Sequence, residues 1–304
     1  MTVEDLAQAD HPVAAVAAPA AKPARYLLTL SCADRIGIVA DVARFLSENG
    51  CNILESTQYG DVDNQRFFYR TSFEAVGGVG LETLERAFAP IAAKFAMQAE
   101  FHDQAGKTPT VLLVSKFGHC LNDLLFRWRI GALPIEVKAV ISNHPDFADV
   151  ARGANVPFHY LPVVGDDRAG QVRRLVEVID SCDAELIVLA RYMQVLPADV
   201  CQRYAGRVIN IHHSFLPSFK GARPYQAAHK RGVKLIGATA HYVTADLDEG
   251  PIIEQAVERV SHSHGVDDYV AVGRDVEAMV LARAVKWHAE HRVMLNGDRT
   301  VVFA

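Results

Sequence analysis

The chain has 304 residues, half of them hydrophobic, which is enough for two domains with sizeable cores. Its net charge is −5 and no basic patch dominates, so a nucleic-acid partner is not expected. No apolar run reaches the ~18–20 residues that span a bilayer, so no membrane partner is expected either. Most of the five cysteines lie within apolar patterns and show no metal-type pairing, which indicates reduced thiols and a cytoplasmic location.

The first 24 residues are rich in alanine and proline. Glu4, Asp5 and Asp10 stand where a secretory signal would carry positive charge. This composition predicts a disordered tail over residues 1–24.

Residues 25–103 show the pattern of a small sandwich of helices on a sheet. Helical apolar spacing follows the first strand, and Gly50 is a good stop for that helix. The predicted elements are strands at 26–31, 51–59, 67–74 and 96–101 and helices at 38–49 and 81–95. The order βαββαβ predicts a ferredoxin-like domain.

A short polar linker, residues 103–109, precedes a second domain that we place at residues 108–304. Strands at 110–114, 136–142, 158–161, 185–190 and 207–211 alternate with apolar helices. This alternation predicts an α/β fold with a mostly parallel sheet covered on both faces. The closing helical region, 266–292, is expected to break near Gly273.

Polar residues gather at the predicted ends of two strands. Asn210 and His212 stand two residues apart, so their side chains share one face, as an amide and an imidazole that stabilise an oxyanion would. Asp248 lies on an acidic loop closed by Gly250 and Pro251, and it faces His212 if the two strands are neighbours. No serine or cysteine nucleophile accompanies them, which indicates direct attack by water or by a substrate amine.

This pattern resembles the signature of folate-dependent formyltransferases over residues 108–295. The matching residues are Asn210-Ile211-His212, Leu216-Pro217, Gly221 and Leu247-Asp248-Glu249-Gly250-Pro251-Ile252-Ile253. The resemblance implies a Rossmann-like formyltransferase domain in which Asn210, His212 and Asp248 are catalytic.

The resemblance also implies a folate-binding loop, at matching spacing from Asn210. It comprises Arg191, Tyr192, Met193, Gln194 and Leu196, with backbone groups of Arg191, Gln194 and Leu196 holding the pterin. By their residue types alone, Tyr192 and Met193 also fit an ordinary core. His241, on the strand before Asp248, is expected to hydrogen-bond the folate or the Asp248 loop.

Three further features resemble formyltetrahydrofolate deformylases. Ser115-Lys116-Phe117-Gly118-His119-Cys120-Leu121 replaces the glycine- and serine-rich phosphate loop of transformylases, Asn143-His144 follows the second strand, and His213 replaces a proline. The resemblance implies hydrolysis of 10-formyltetrahydrofolate to tetrahydrofolate and formate, which supplies formate and balances one-carbon and purine metabolism. Water is then the second reactant, and no cofactor is expected. His213 is a candidate for positioning that water, although a solvent-facing histidine is an equal interpretation.

The turn Asp34-Arg35-Ile36-Gly37-Ile38-Val39 resembles the ACT domain, a small-molecule sensing module. In that family amino acids bind between the first turn and a paired subunit. The resemblance implies a homo-oligomer, a dimer or tetramer, with effector-binding candidates Asp34, Gly37, Ile38 and Asn52. Without an effector, Gly37 only permits a tight turn and Asp34 caps the helix.

Two other functions stay open. A glycinamide ribonucleotide transformylase would need phosphate-binding residues, which look absent. An amino-acid-sensing regulator on an inactive fold would lack Asn210, His212 or Asp248, and all three are present. His262 and His264 have no cysteine or carboxylate cluster beside them, so no metal site is expected.

Overall fold

The computed structural model describes residues 23–165, 167–216 and 224–304. The predicted tail therefore lies almost wholly outside the described residues, as do Pro217 and Gly221 of the signature. Within the described ranges, no helix has the length and hydropathy needed to cross a membrane.

The first domain has the predicted βαββαβ order. Its elements are β1 (Ala24–Ala33), α1 (Ile38–Glu48), β2 (Cys51–Asp61), β3 (Arg66–Ala75), α2 (Leu81–Phe95) and β4 (Gln98–Asp103). The strands form an antiparallel sheet in the order β2-β3-β1-β4. Leu28 and Leu30 of β1 pack with Phe88 of α2 in the core between sheet and helices.

The second domain begins with a run of alternating strands and helices. These are β5 (Thr108–Val114), α3 (His119–Arg129), β6 (Ile135–Ser142), α4 (Ala148–Gly153), β7 (Phe158–Tyr160), α5 (Arg168–Ser181), β8 (Leu186–Leu189), α6 (Ala198–Arg203) and β9 (Val208–His212). The chain then continues through α7 (Pro224–Arg231), β10 (Leu235–Tyr242), β11 (Ile252–Arg259), α8 (Val266–Ala289), β12 (Val293–Asn296) and β13 (Arg299–Val302).

Within the part of the chain that the structure describes, seven strands form the second sheet in the order β11-β10-β9-β8-β5-β6-β7. The strands from β9 to β7 are parallel, whereas β10 pairs antiparallel with both β9 and β11. The sheet is therefore mostly parallel, as predicted. Separate apolar clusters cover its two faces, and α8 packs over one of them. The carboxyl ends of β8 and β9 meet at one edge, where open α/β sheets bind ligands.

The closing region differs from the prediction in two respects. Helix α8 runs without a break through Gly273, because the glycine makes room for a neighbouring side chain: a Cβ there would lie 2.2 Å from Cζ of Tyr225. The hairpin of β12 and β13 was not predicted from the sequence, since its four-residue strands carry little periodic signal.

The two domains meet through the face of the first sheet that lies opposite its helices. Leu27 and Phe68 are buried on this face. Arg70 beside them is 4% exposed and donates from Nε to the carbonyl of His291 at 3.3 Å and from Nη2 to that of Glu290 at 3.1 Å. At the same junction, the rings of His102 and His291 stack with centroids 3.6 Å apart.

This histidine pair makes the junction sensitive to pH. Burial lowers the pKa of His291 to about 3, with the nearby His102 and Arg70 adding to the effect, and burial also lowers the pKa of His102. An unfolded histidine has a pKa near 6.5, so the unfolded chain binds more protons below that pH. The stability from the neutral pair is therefore complete above about pH 6.5 and is lost as the pH falls.

We expect His291→Asn to reduce this pH dependence. Asparagine tolerates the positive φ of 51° at this position. Between pH 7.5 and 5, the melting temperature of the unmodified protein should fall about 2–4 °C more than that of the variant. Thermal unfolding across this range measures the difference. His262→Asn, at an exposed histidine, is the control and should behave as the unmodified protein. Equal pH dependence in both variants would contradict the assignment.

Candidate active site

A cavity of about 270 Å³ opens at the carboxyl ends of β8 and β9. Three segments line it: the loop 191–196 after β8, residues 210–213 at the end of β9, and the loop 243–248 after β10. The walls are largely apolar and a few polar side chains converge on one end, the usual form of a small-molecule site.

Antiparallel pairing of β9 and β10 brings the predicted polar residues together. The register sets Thr239 opposite His212 and His241 opposite Asn210. The chain then leaves β10 through a turn that returns Asp248 to the sheet. Its Oδ2 lies 3.1 Å from Nδ1 of His212, the contact expected from the sequence.

His241 lies between the other two polar groups. Its Nε2 is 3.3 Å from Nδ2 of Asn210 and 3.6 Å from Oδ1 of Asp248, and its Nδ1 faces the carbonyl of Tyr242 at 2.9 Å. The ring is 2% exposed. His241 therefore lies beside both Asn210 and the Asp248 carboxylate, and it also borders the cavity.

Asp248 is held as a carboxylate. The hydrogen bond from His212, followed by that of His241, outweighs burial and holds the pKa of Asp248 well below its usual range. Its φ is +58°, a conformation that aspartate tolerates better than most residues but that still costs energy. The strained backbone at Asp248 thus directs this carboxylate towards the imidazoles of His212 and His241.

His212 presents an unused nitrogen. Its ring is 6% exposed, Nδ1 faces Asp248, and Nε2 has no hydrogen-bond partner among the described residues. A buried polar atom without a partner is rare in folded proteins and needs an explanation. A substrate oxygen in the cavity would provide the missing partner.

The residue after His212 borders two cavities. The ring of His213 stacks on His212 with centroids 5.0 Å apart and lies 6.4 Å from the ring of Tyr225. It lines the cavity described above and also an adjacent apolar cavity of about 320 Å³. His213 is half-buried.

The loop after β8 divides its residues between cavity and core. Met193 is half exposed and lines the cavity with Gln194 and Leu196. Tyr192 also borders the cavity, but its ring is buried and packs in the core, where burial raises its pKa to about 12. The sequence could not separate these two roles, because the loop has no periodic pattern.

Ser115 fixes the start of this loop. Its N–H donates to the carbonyl of Arg191 at 3.2 Å, and its Oγ accepts from the N–H of Met193 at 2.9 Å and donates to Oδ1 of Asn143 at 2.7 Å. Both Arg191 backbone groups expected to hold pterin are thus already bonded within the protein, since its N–H also donates to the carbonyl of Leu189 at 3.0 Å. Ser115 and Asn143, both part of the deformylase-like pattern, hold the loop in place through these hydrogen bonds.

The Arg191 side chain reaches a buried acid. Its Nε lies 3.3 Å from Oε2 of Glu277, which is also 2.8 Å from Nε2 of His119. Sequence reasoning missed Glu277. The available signal was a lone acid in an apolar stretch of α8, between buried Val276 and Val280.

His119, Cys120 and Glu277 together could form a ligand set, since their ligand atoms lie within 4.8 Å of one another. The guanidinium of Arg191 already supplies positive charge to the same carboxylate, and burial strongly raises the pKa of the Cys120 thiol. A thiol kept protonated beside a cation is a poor metal ligand. We therefore assign no metal to this group.

The start of α3 is covered by aromatic rings. A Cβ on Gly118 would lie 2.2 Å from Cε1 of Phe147, so that ring packs directly on the backbone. Phe117 lies between the guanidinium groups of Arg191 and Arg274, 5.9 and 5.8 Å from its centroid. A helix start that binds phosphate needs open backbone amides, so this one is poorly suited to the task.

The effector candidates of the first domain do not come together within one chain. Asp34, Gly37 and Ile38 follow the end of β1, whereas Asn52 begins β2, level with Arg25 at the start of β1. The two ends of the sheet are about 26 Å apart at ~3.3 Å per residue. Asp34 does not cap α1 either, because the N-cap residue is Gly37 and no side chain caps the helix.

Comparisons with known proteins agree with this architecture. A model of the formyl transferase family matches residues 109–285 and a model of the ACT domain matches residues 26–90. The formyltetrahydrofolate deformylase of Corynebacterium sp. (strain P-1) is 49% identical over 279 residues, which cover 91% of this chain and 98% of the relative. The chain belongs to the formyltetrahydrofolate deformylase family.

Solved structures place this family beside the transformylases. The deformylase from Burkholderia mallei matches with a TM-score of 0.89 and 52% identity, over 93% of this chain and all of that one. Glycinamide ribonucleotide transformylase 1 from Symbiobacterium toebii matches with a TM-score of 0.63 and 30% identity, over 67% of this chain and 97% of that one. The family thus shares the formyltransferase fold and carries the ACT domain in addition.

The ionisation of Asp248 can be tested directly. We expect its carboxyl to stay ionised at pH 4, where an ordinary aspartate with a pKa near 3.9 is about half protonated. Carbon-13 NMR of carboxyl-labelled protein, assigned with Asp248→Asn, measures the titration. His212→Ala should raise this pKa because it removes the main hydrogen bond, while His262→Ala should not change it. An ordinary titration in the unmodified protein would contradict the geometry.

Proposed function

We propose that this enzyme hydrolyses 10-formyltetrahydrofolate to tetrahydrofolate and formate, the activity for which its family is named. The observation that carries the proposal is the unpartnered Nε2 of His212, buried beside the Asn210 amide in a cavity with an ionised Asp248. Neither serine nor cysteine is among the described residues that line this cavity. The chemistry therefore proceeds by direct attack rather than through a covalent enzyme intermediate.

The geometry gives each group a separate task. The formyl oxygen accepts hydrogen bonds from the Asn210 amide and from Nε2 of His212, and these strengthen as the oxygen becomes an oxyanion. The mechanism requires the imidazolium form of His212, in which Nδ1 donates to Asp248 while Nε2 donates to the formyl oxygen. Loop 191–196 holds the pterin, with Met193, Gln194 and Leu196 at the cavity wall.

Water completes the reaction. Its oxygen attacks the formyl carbon while Asp248 orients it and helps to move one of its protons. The bond between the formyl carbon and N10 then breaks, N10 takes a proton, and formate leaves. No cofactor is invoked, because the substrate, water and these side chains account for every atom.

Two features support water over an amine as the attacking group. The covered start of α3 lacks an open phosphate site, which disfavours a phosphorylated amine such as glycinamide ribonucleotide. His213 borders the reaction cavity and stacks on His212, which supports a role for its imidazole in hydrogen-bonding the attacking water. The transformylase alternative is correspondingly weaker.

The ACT domain suggests regulation by a small molecule, for which our favoured effector is glycine or methionine. Since Asn52 lies far from Asp34 and Gly37 in one chain, a shared site needs β2 of a second copy. Strand β2 is at the edge of its sheet, so it is available for such pairing. We therefore include a homo-oligomer, a dimer or tetramer, in the proposal. A purely regulatory protein is disfavoured because Asn210, His212 and Asp248 remain assembled.

The metabolic role follows from the products. Formate release and recovery of tetrahydrofolate would supply formate and balance one-carbon and purine metabolism. The five cysteines form no disulfide, which agrees with a cytoplasmic location.

Product analysis tests the reaction. The unmodified protein, given 10-formyltetrahydrofolate, should release one formate per tetrahydrofolate, and millimolar glycinamide ribonucleotide should not divert the formyl group, because its phosphate finds no open helix start. His213→Pro should slow hydrolysis without creating efficient transfer. Mass spectrometry distinguishes the products. Formylated glycinamide ribonucleotide as the main product would replace this proposal with the transformylase alternative.

Substitutions in the polar set test the mechanism. Asn210→Ala, His212→Ala and Asp248→Ala should each lower kcat by about 10²–10³-fold, since each removes stabilisation of the oxyanion or of the imidazole that provides it. Steady-state formate release measures the effect, with circular dichroism to verify folding. His262→Ala is the matched control and should retain full activity. A folded His212→Ala protein with near-normal kcat would exclude His212 from the chemistry.

A further inference from the structure

Glu277 is a buried acid that the proposed reaction does not use. It lies in the middle of α8, is 1% exposed, and is absent from the lining of the reaction cavity. Three side chains from other elements reach its carboxylate: His119 Nε2 at 2.8 Å, the Tyr225 hydroxyl at 2.5 Å and Arg191 Nε at 3.3 Å. Burial alone would raise the pKa of Glu277, but these partners outweigh it and lower the pKa, so the group stays charged.

One partner of Glu277 holds the start of loop 191–196, the folate-type loop. Arg191 is the first residue of that loop and has a φ of +65°, which is uncommon for a residue with a side chain. Its Nε is buried without a hydrogen-bond partner among the described residues, so its attraction to Glu277 is electrostatic rather than a well-aligned hydrogen bond. Such strained, under-satisfied groups persist where the surroundings hold them, and they concentrate at functional sites.

The Arg191 turn is thus held at both ends. Ser115 binds the backbone on one side through the Arg191 carbonyl, and Glu277 attracts the guanidinium on the other. If the charge on Glu277 were lost, the guanidinium would remain buried without a counterion. The turn would then be expected to move, and loop 191–196 with it.

A second partner controls the wall beside His213. Tyr225 is 8% exposed and lies against the backbone of α8, where Gly273 leaves room for its ring. The hydroxyl donates to Glu277, and the ring lies 6.4 Å from that of His213. The acid therefore fixes the orientation of the aromatic ring next to the histidine assigned to the attacking water.

We propose that Glu277 is a positioning residue for hydrolysis: its carboxylate holds Arg191 and Tyr225, and thereby sets both the folate-type loop and the wall behind His213. This inference rests on the proposed function. It makes Glu277 the residue that connects the loop proposed to bind the pterin with the wall beside the attacking water. A role confined to stability would require neither the strained Arg191 turn nor the ring contact with His213.

The constants KM and kcat separate the role of Arg191 from that of Tyr225. Glu277→Gln keeps the shape and removes the charge, and it should raise KM for 10-formyltetrahydrofolate by about 5–20-fold and lower kcat by about 10-fold. Arg191→Lys should act mainly on KM, and Tyr225→Phe mainly on kcat. Asp275→Asn, an exposed acid on the same helix, is the matched control and should leave both constants unchanged.

A double-mutant cycle supplies a readout that a purely structural role would not give. In the Tyr225→Phe background, Glu277→Gln should cause a much smaller further loss of kcat than it does alone, because the two groups act together. Gly273→Ala displaces the Tyr225 ring without touching the charge of Glu277, and it should lower kcat with little change in KM. This variant keeps the test valid if Glu277→Gln fails to fold.

The outcomes are distinct. Failure of the unmodified protein to release formate contradicts the proposed function and this inference with it. Normal release by the unmodified protein, together with kcat and KM within twofold of normal in folded Glu277→Gln, contradicts only the role of Glu277. A lower melting temperature without kinetic change would show a purely structural role and would also overturn the inference.

Discussion

The contact between His212 and Asp248 depends on an antiparallel strand pair in a sheet that is otherwise largely parallel. Strand β9 ends at His212, and β10 runs back beside it before the chain turns to present Asp248. Because β10 runs antiparallel to β9, it sets His241 opposite Asn210 and continues past that residue. The loop after β10 then turns back and brings Asp248 to His212, so strand direction determines which side chains meet at this edge.

Two carboxylates have separate roles around this pair. Asp248 faces the reaction cavity and is strained into position, with two imidazoles as partners. Glu277 lies behind the cavity and is bonded to side chains that hold the cavity walls. Each carboxylate is kept charged by its neighbours, since an unpaired buried charge would be too costly to retain. The charge of Asp248 acts in the reaction, and the charge of Glu277 holds the walls of the site in position.

The sequence predicted the features that depend on local pattern. Alternation and helical spacing gave both domains, and the two-residue separation of Asn210 and His212 gave a shared face. It could not predict the contacts that depend on packing between distant elements. Glu277 belongs to this group, because four elements contribute to its surroundings. The separation of Asn52 from Asp34 required the strand register, and the continuity of α8 through Gly273 required the position of the Tyr225 ring.

The buried second face of the ACT sheet limits how this protein can be divided. Leu27 and Phe68 are buried on that face, and the last hairpin of the chain reaches back to Asp61 through Asn296 and Arg299. A cut at the linker would expose apolar surface on both fragments, and such surface promotes aggregation. The two domains are therefore recognised as separate families, but each one depends on the other to keep its apolar surface away from water. Exchanging sensor domains among relatives would require the covering surface to be exchanged with them.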